Sequence, residues 1–202
     1  MTVIHLIRHG DVHNPDEIYY GRIPNFRLSE KGRGQAKSAG QFIKSKSVTA
    51  LFASPQQRTQ ETAKIIAEQI GEIDITTDER LNEVYTPHDG MTMEALIARN
   101  FDLYTGNQPP YELAQDIQNR AVDFLNDIRG RYPKQHVIGI SHGDILTFSL
   151  MYAKQVGIDM EAKGNLEVLG ITDEYPATAS ILSFSFEHDN QTIPTVTYTR
   201  PY

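Results

Sequence analysis

Residues 3–10 read VIHLIRHG, an apolar run that contains one histidine and ends in an arginine, a histidine and a glycine. A short, partly β-branched run of this kind is typical of a buried strand. In open α/β sheets, ligands bind beyond the carboxyl ends of the strands. The stretch therefore predicts a first strand that brings Arg8 and His9 to a binding site.

The rest of the chain alternates between strand-like and helix-like patterns. Predicted strands cover residues 49–53, 73–77 and 136–140, followed by a hairpin of residues 180–186 and 192–199 around Asp189-Asn190. Predicted helices run from Ser29 to about Lys46, onward from Ser54-Pro55, over 93–103 and 112–129, and from 141 to about 155. The alternation predicts a three-layer α/β/α sandwich with a mostly parallel central sheet and an antiparallel edge strand or hairpin.

Composition sets limits on domain number and partners. The chain has 202 residues, 39% hydrophobic and 22% charged, with a net charge of −7, so we expect one domain over residues 1–202 and neither nucleic-acid nor membrane partners. It has no cysteine, which excludes disulfides and the chemistry of cysteine phosphatases. The N-terminal apolar stretch is too short for a signal peptide, so we expect a cytoplasmic protein.

Arginine and histidine side chains lie at three of the predicted strand ends. Arg8 and His9 follow the first strand, Arg58 lies in the first turn of the helix after the second, and His142 follows the strand over residues 136–140. A neutral imidazole is a nucleophile that needs no base, and arginine offers a planar fork that fits phosphate oxygens. The convergence predicts phosphoryl transfer at one rim of the sheet.

Together these residues resemble the histidine phosphatase superfamily, in the branch that contains the cofactor-dependent phosphoglycerate mutases. The matching segments occur in the family's order: LIRHG at 6–10, LSEKG at 28–32 with Gln35-Ala36, Ser54-Pro55 with Arg58-Thr59 and Glu61-Thr62-Ala63, LNE at 81–83, and SHG at 141–143. They span about two thirds of the chain. A single RHG tripeptide is a weak signal, whereas several landmarks in order are specific.

The resemblance implies a role for each matching residue. His9 would be the nucleophile and become phosphohistidine, while Arg8, Arg58 and His142 would hold the phosphoryl group. Glu83 would protonate the departing oxygen and later deprotonate the attacking water. Independently of the family, a carboxylate beside a phosphate has its pKa raised by repulsion, which suits proton donation.

One departure from the family pattern favours a phosphatase over a mutase. The mutases usually place a Trp-Asn pair after the RHG, whereas this chain reads His13-Asn14-Pro15, with Asn14 one residue earlier. Asn14 remains a candidate for substrate contact, as does Arg22 in the loop predicted to cover the pocket. We therefore expect hydrolysis of phosphate monoesters of a small metabolite, with no metal and no cofactor, and keep a phosphoglycerate mutase-type phosphotransferase as the alternative.

The predicted specificity element is a lid-like insertion at about residues 84–111. This segment would cover the leaving group, and it carries several aromatic and methionine side chains, namely Tyr85, Met91, Met93, Phe101 and Tyr104. Such residues are also common in ordinary packing. Sugar phosphates, nucleotide or cofactor-precursor phosphates and phosphoproteins all stay open as substrates.

A serine hydrolase is a distant alternative. Residues 139–143, GISHG, fit the nucleophile elbow and would make Ser141 the nucleophile. The acid and base would then be Asp173 and His188, which follow in the chain order of that class. This interpretation gives no role to Arg8, His9 or Arg58.

A metal hydrolase and a non-catalytic phosphate-binding protein would need no phosphohistidine. His5, His9 and His13 are spaced four residues apart, as in some metal sites, but that spacing converges only on a helix and here it crosses a strand into a loop. A phosphate-binding protein would use the same basic residues. The complete set of nucleophile, cations and acid favours an enzyme.

Overall fold

The protein is described by a computed structural model over residues 1–71, 73–188 and 190–202. Within these residues the strands are β1 (Thr2–Arg8), β2 (Val48–Ala53), β3 (Ile75–Thr77), β4 (His136–Ser141), β5 (Ile181–Phe186) and β6 (Thr195–Thr199). The helices are α1 (Glu30–Ile43), α2 (Gln57–Ile70), α3 (Met93–Ala98), α4 (Ala114–Arg131), α5 (Gly143–Ala153) and α6 (Met160–Gly164). None of the described helices is both long and apolar enough to cross a membrane.

The strands form one sheet in the order β3-β2-β4-β1-β5-β6. Strands β1 to β4 are mutually parallel, whereas β5 runs antiparallel to β1 and β6 antiparallel to β5. The predicted fold class is confirmed. The pairing of β5 with β6 also confirms the predicted hairpin strands, although Asp189 of the predicted turn lies outside the described residues.

Strand register aligns the ends that carry the polar residues. Arg8 at the end of β1 pairs with Ser141 at the end of β4, and the backbone N–H of His9 donates to the Ser141 carbonyl at 3.0 Å. Strand β2 ends level with them, because Ala53 pairs with Ile140. His9 and His142, the next residues of two neighbouring strands, are thereby brought to one edge of the sheet.

Helices cover both faces of the sheet. Successive side chains of a strand point to opposite faces, so Leu6 of β1 belongs to the core on one face and Ile7 to the core on the other. Helices α4 and α5 contribute Phe124 and Phe148 to the first core, while α1 and α2 contribute Ile43 and Ile66 to the second, as the three-layer prediction requires.

The observed helices differ from the predicted ones most clearly at α2, α3 and α6. Helix α2 begins at Gln57 rather than at Pro55, because the Ser54 hydroxyl lies 2.8 Å from Nε2 of His142 instead of capping the helix. Helix α3 ends at Ala98 rather than at residue 103, because Asn100 and Phe101 adopt left-handed backbone angles, with φ of 52° and 55°. Helix α6 was not predicted from the sequence.

Candidate active site

His9 lies directly after β1 and is only 1% exposed. Its Nδ1 is 2.8 Å from the carbonyl oxygen of Gly10, an acceptor, so Nδ1 carries the proton and Nε2 keeps its lone pair. Burial, followed by the charges of Arg58, His142 and Arg8, holds the pKa of His9 well below its ordinary 6.5. The ring is therefore a neutral nucleophile with Nε2 free.

Arg58 is buried in the first turn of α2, also at 1% exposure. Its Nη2 donates to the Gly21 carbonyl at 2.8 Å and lies 3.2 Å from Oε2 of Glu83. Its Nε is buried and has no hydrogen-bond partner among the described residues. A cation at a helix N-terminus opposes the helix dipole, so this guanidinium has the position and a free donor to bind an anion.

His142 caps the N-terminus of α5 and is fully buried. Its ring centroid lies 5.3 Å from that of His9, and burial lowers its pKa to about 4. Nδ1 lies 3.1 Å from Nη2 of Arg58 and 3.2 Å from Oε2 of Glu83. In one tautomer Nδ1 donates to Glu83, and in the other it accepts from Arg58. The Ser54 hydroxyl accepts from Nε2 when that atom is protonated and donates to it when it is not.

Glu83 follows a 3₁₀ turn over Glu79–Leu81 and lines the same cavity as His9. Burial alone would raise the pKa of its carboxyl, but the hydrogen bond with His142 and the charge of Arg58 outweigh burial and hold the pKa below its ordinary range. The rise in pKa expected from the sequence concerns the state with phosphate bound. The lowered pKa keeps this carboxyl ionised at neutral pH.

Arg8 approaches the cluster from the end of β1. Its Nη1 donates to the Pro176 carbonyl at 2.7 Å, and its guanidinium carbon lies 5.2 Å from the centre of the Tyr175 ring. Its Nε is buried and unpartnered among the described residues, and the side chain lines the cavity. Arg8 thus offers a second positioned donor beside His9.

The cavity in front of His9 has a volume of about 760 Å³. Asn14 lines it, but its amide nitrogen donates to the Ile18 carbonyl at 2.9 Å and its oxygen accepts from the Ile18 N–H at 3.3 Å. Asn14 therefore closes its own loop in the unliganded structure.

The structure does not bring Arg22 to this cavity. Its Nε and Nη2 donate to the Glu83 carbonyl at 2.8 and 2.6 Å, and Nη2 lies 3.2 Å from Oε2 of Glu112. The expectation that Arg22 contacts substrate is not supported by this placement, because Glu112 and the Glu83 carbonyl direct the guanidinium away. Its contact with the Glu83 backbone makes it a support for that residue.

Four residues around the site were not predicted from the sequence. The Tyr20 ring lies 4.8 Å from the guanidinium carbon of Arg58. Asp144, Lys163 and Tyr175 line the cavity wall next to Arg8. Asp144 follows His142-Gly143 and could have been noticed from that position, but the other three carry no motif or periodicity that marks them.

A metal would find possible ligands here. Ligand atoms of His9, Glu83 and His142 all lie within 4.8 Å of one another. Two imidazoles and a carboxylate suit Zn²⁺. However, Nη2 of Arg58 lies 3.2 Å from Oε2 of Glu83 and 3.1 Å from Nδ1 of His142. A fixed cation in that position opposes a second one, so the donor set fits an anion better than a metal.

The serine hydrolase and the three-histidine metal site find no geometric support. Ser141 is fully buried, and its hydroxyl donates to the Leu81 carbonyl at 2.7 Å, so it is not an exposed nucleophile. His5 bonds to Ser183 and His136, at 2.8 and 3.0 Å, rather than converging with His9.

The proteins similar in sequence include two that are named as phosphatases. The chain is 28% identical over 171 residues to phosphoserine phosphatase 1 of Hydrogenobacter thermophilus, covering 79% of each chain. It is 28% identical over 145 residues to a Bacillus subtilis protein named uncharacterized phosphatase PhoE, covering 71% of this chain and 72% of that one. An uncharacterized protein of Mycobacterium tuberculosis is 48% identical over 66 residues, so that match spans a third of each chain.

Solved structures share the fold. A Bacillus stearothermophilus protein, YhfR, superposes with a TM-score of 0.75 at 23% identity, covering 93% of this chain and 92% of that one. A phosphoserine phosphatase from Entamoeba histolytica in complex with 3-phosphoglyceric acid superposes with a TM-score of 0.74 at 22% identity, covering 98% and 95%. The sequence model of the histidine phosphatase superfamily, branch 1, matches residues 4–197. The chain therefore belongs to branch 1 of the histidine phosphatase superfamily.

Proposed function

We propose that this protein is a phosphatase that hydrolyses phosphate monoesters of a small metabolite through a phosphohistidine at His9. One observation carries the proposal: a neutral imidazole with a free Nε2 lies beside the buried guanidinium of Arg58, the half-buried Arg8 and a second imidazole. These groups supply a nucleophile and fixed donors for phosphoryl oxygens, which are the main requirements of phosphoryl transfer.

In the first step, Nε2 of His9 attacks phosphorus in line with the ester bond. The N–P bond forms while the P–O bond to the leaving group breaks, and Glu83 donates its proton to the departing oxygen. A bound phosphate dianion takes Arg58 as its own partner and repels the Glu83 carboxylate, so the Glu83 pKa rises and the group becomes an acid. Arg8, Arg58 and His142 hold the three equatorial oxygens.

In the second step, water hydrolyses the phosphohistidine. The Glu83 carboxylate left by the first step takes a proton from the water, whose oxygen attacks phosphorus as the N–P bond breaks. Inorganic phosphate leaves and His9 is neutral again. The sum is one water consumed for each ester cleaved.

Residues 84–111 fit the role of a lid within a single domain. Met93 and Leu96 of α3 line the cavity with Asn100, Phe101 and Leu103, which supports the proposal that this segment covers the leaving group. The cytoplasmic location stays a prediction from the sequence.

The test is a panel of phosphorylated metabolites assayed for phosphate release, with a bisphosphoglycerate-dependent mutase assay alongside. We expect phosphate release by the wild type, none by His9→Ala, and an acid-labile phosphoprotein after a rapid quench. His13→Ala is the matched control, since His13 is exposed and outside the cavity lining. Mutase activity without phosphate release would replace the phosphatase by the phosphotransferase, and full activity of His9→Ala would overturn both.

A further inference from the structure

The wall of the cavity beyond the phosphoryl-binding residues is rich in carboxylates. The acidic residues that line it, apart from Glu83, are Asp11, Glu17, Asp144 and Glu174, whereas its lining cations are Arg8 and Lys163. Arg8 belongs to the phosphoryl-binding cluster. Whether the cavity can accept a second anionic group on the substrate therefore depends on Lys163.

Lys163 is already neutralised. It is 5% exposed, its Nζ lies 3.2 Å from Oδ1 of Asp144, and it donates to the Phe101 carbonyl at 3.2 Å. Asp144 is held in turn by the hydroxyls of Tyr104 and Tyr175. A substrate carboxylate would have to separate this buried pair, which is costly because Asp144 would be left without its cation. The paired ammonium is thus a poor receptor for a second anion.

Besides Arg8, a second residue that lines the cavity has a polar atom with no partner among the described residues. The Tyr19 hydroxyl is buried and makes no hydrogen bond within the described part of the chain, and the residue lines the cavity. Burial, reinforced by the charges of Glu83 and Asp144, raises the pKa of this phenol well above 10, so it stays protonated. A buried unpaired hydroxyl has a cost that a ligand hydroxyl or amine removes.

Apolar side chains also line the cavity. These side chains come from the loop before Tyr19 and from the region of α3, and they are Ile18, Met93, Leu96, Phe101 and Leu103. Phe101 is 45% exposed, so part of its ring is accessible for contact with a ligand. This surface is complementary to a flat or branched apolar body.

We infer that the leaving group has an apolar face, a hydroxyl or amine that meets Tyr19, and no second anionic group. This inference rests on the proposed function and narrows it to monophosphates whose organic part is neutral or cationic. Carboxylated monoesters such as phosphoglycerates fit poorly. Glu17 and Glu174 are exposed and form no ion pair within the described parts of the chain. Their repulsion of one substrate carboxylate, at several ångströms and a surface-like dielectric, corresponds to at least about a tenfold loss in kcat/KM.

Three aryl phosphates test the inference with leaving groups of similar reactivity: 4-(aminomethyl)phenyl, 4-(hydroxymethyl)phenyl and 4-(carboxymethyl)phenyl phosphate. The methylene spacer keeps the charge away from the phenol oxygen. We expect kcat/KM for the amine and the alcohol to exceed that for the carboxylate at least about tenfold at low salt. Tyr19→Phe should lower kcat/KM for the amine and the alcohol by about three- to tenfold and change the carboxylate less.

A second experiment removes negative charge from the cavity wall. The double variant Glu17→Gln, Glu174→Gln should reduce the amine-to-carboxylate ratio of kcat/KM at least about threefold, whereas Glu68→Gln, an exposed glutamate outside the cavity lining, should leave it unchanged. Equal or faster His9-dependent turnover of the carboxylate would overturn the inference and leave the phosphatase intact. Failure of all three compounds with an enzyme that hydrolyses other monoesters would also overturn it. The loss of all His9-dependent hydrolysis would refute the proposed function instead.

Discussion

Oε2 of Glu83 lies 3.2 Å from Nη2 of Arg58, so the proposed acid and the proposed phosphate-binding arginine form an ion pair. The two roles are compatible only if phosphate exchanges one pairing for another. When the dianion takes the guanidinium, Glu83 loses the cation that kept it ionised and gains a negative neighbour. The ion pair thereby couples substrate binding to protonation of the acid.

Glu83→Gln should remove the proton donor while preserving the shape of the site. We expect kcat for alkyl phosphates to fall about 10²- to 10⁴-fold, the usual contribution of general acid catalysis, and to fall less for 4-nitrophenyl phosphate, whose leaving group needs no proton. Steady-state kinetics with both ester types measures this. Glu94→Gln, at an exposed position of α3, is the control. Equal losses with both esters would contradict the acid role of Glu83 in the first step and leave it only the role of base in the shared second step or a structural role.

Tyr175 should position Arg8. The Arg8 guanidinium lies over its ring, and its hydroxyl donates to Oδ1 of Asp144 at 2.6 Å, which fixes the ring in place. We expect Tyr175→Leu to lower kcat/KM about 10- to 100-fold and to weaken inhibition by vanadate, because Arg8 loses its stacking surface. Tyr175→Phe should retain more activity than Tyr175→Leu.

The control for that comparison is Tyr152→Phe, whose hydroxyl donates to the Thr192 carbonyl at an exposed site. Vanadate affinity is the decisive measurement, since a merely destabilised protein would keep it in its folded fraction. Unchanged vanadate inhibition in Tyr175→Leu would show that Arg8 needs no such support.

Acid should destabilise the protein through buried neutral histidines. Burial, and then His136 and Lys46, lower the pKa of His5 from 6.5 to about 3, and burial lowers that of His142 to about 4. Because the unfolded chain binds these protons below pH 6.5 and the folded chain does not, the free energy of unfolding should fall as pH drops from about 6.5 towards 4. Above pH 7 these two histidines are neutral in both states, so they no longer make the free energy of unfolding depend on pH.

Urea denaturation at pH 7.5, 5.5 and 4.5 checks this dependence. His5→Gln removes one titrating group whose Nδ1 and Nε2 bond to Ser183 and His136, so its stability should depend less steeply on pH than that of the wild type. Lowering a pKa by one on folding corresponds to about 1.4 kcal/mol in the free energy of unfolding at low pH. An identical pH slope in the variant would mean that His5 is protonated in the folded state.

The sequence predicted that His9, Arg58 and His142 meet, because they lie at or just after the ends of strands with strong local patterns. His9 and His142 follow apolar runs, and strand register then places them side by side without further information. The direction of Arg22 was not predictable, since it depends on Glu112, which lies 90 residues further along the chain. Lys163 and Asp144 form a pair between segments whose packing no local periodicity encodes.

Chelators should leave phosphatase activity unchanged, because the proposed mechanism draws its positive charge from arginine. Micromolar Zn²⁺ should also leave it unchanged, because the Arg58 guanidinium opposes a second cation between Glu83 and His142. Phosphate release measured with EDTA and with micromolar Zn²⁺ checks both points. Strong inhibition by EDTA, reversed by a metal, would support a metal hydrolase.

Two glycines of α1 should respond in opposite ways to alanine. A Cβ at Gly32 would overlap the Asp11 carbonyl oxygen and lie 2.7 Å from the Asp11 nitrogen, whereas a Cβ at Gly34 would meet nothing within 4 Å. Gly32→Ala should therefore cost about 1–3 kcal/mol, because the backbone after His9 must move. Gly34→Ala should stabilise by about 0.5–1 kcal/mol, because alanine loses less conformational entropy in a helix.

Because the displaced backbone at Asp11 lies two residues from the nucleophile, Gly32→Ala should also lower kcat/KM, while Gly34→Ala should not. Urea denaturation and phosphate release on the same two variants separate these effects. Gly32→Ala could lose stability but keep full kcat/KM in its folded fraction. The close contact between Gly32 and the Asp11 backbone would then stabilise the fold without positioning His9. A loss of both stability and kcat/KM would show that this contact also positions His9.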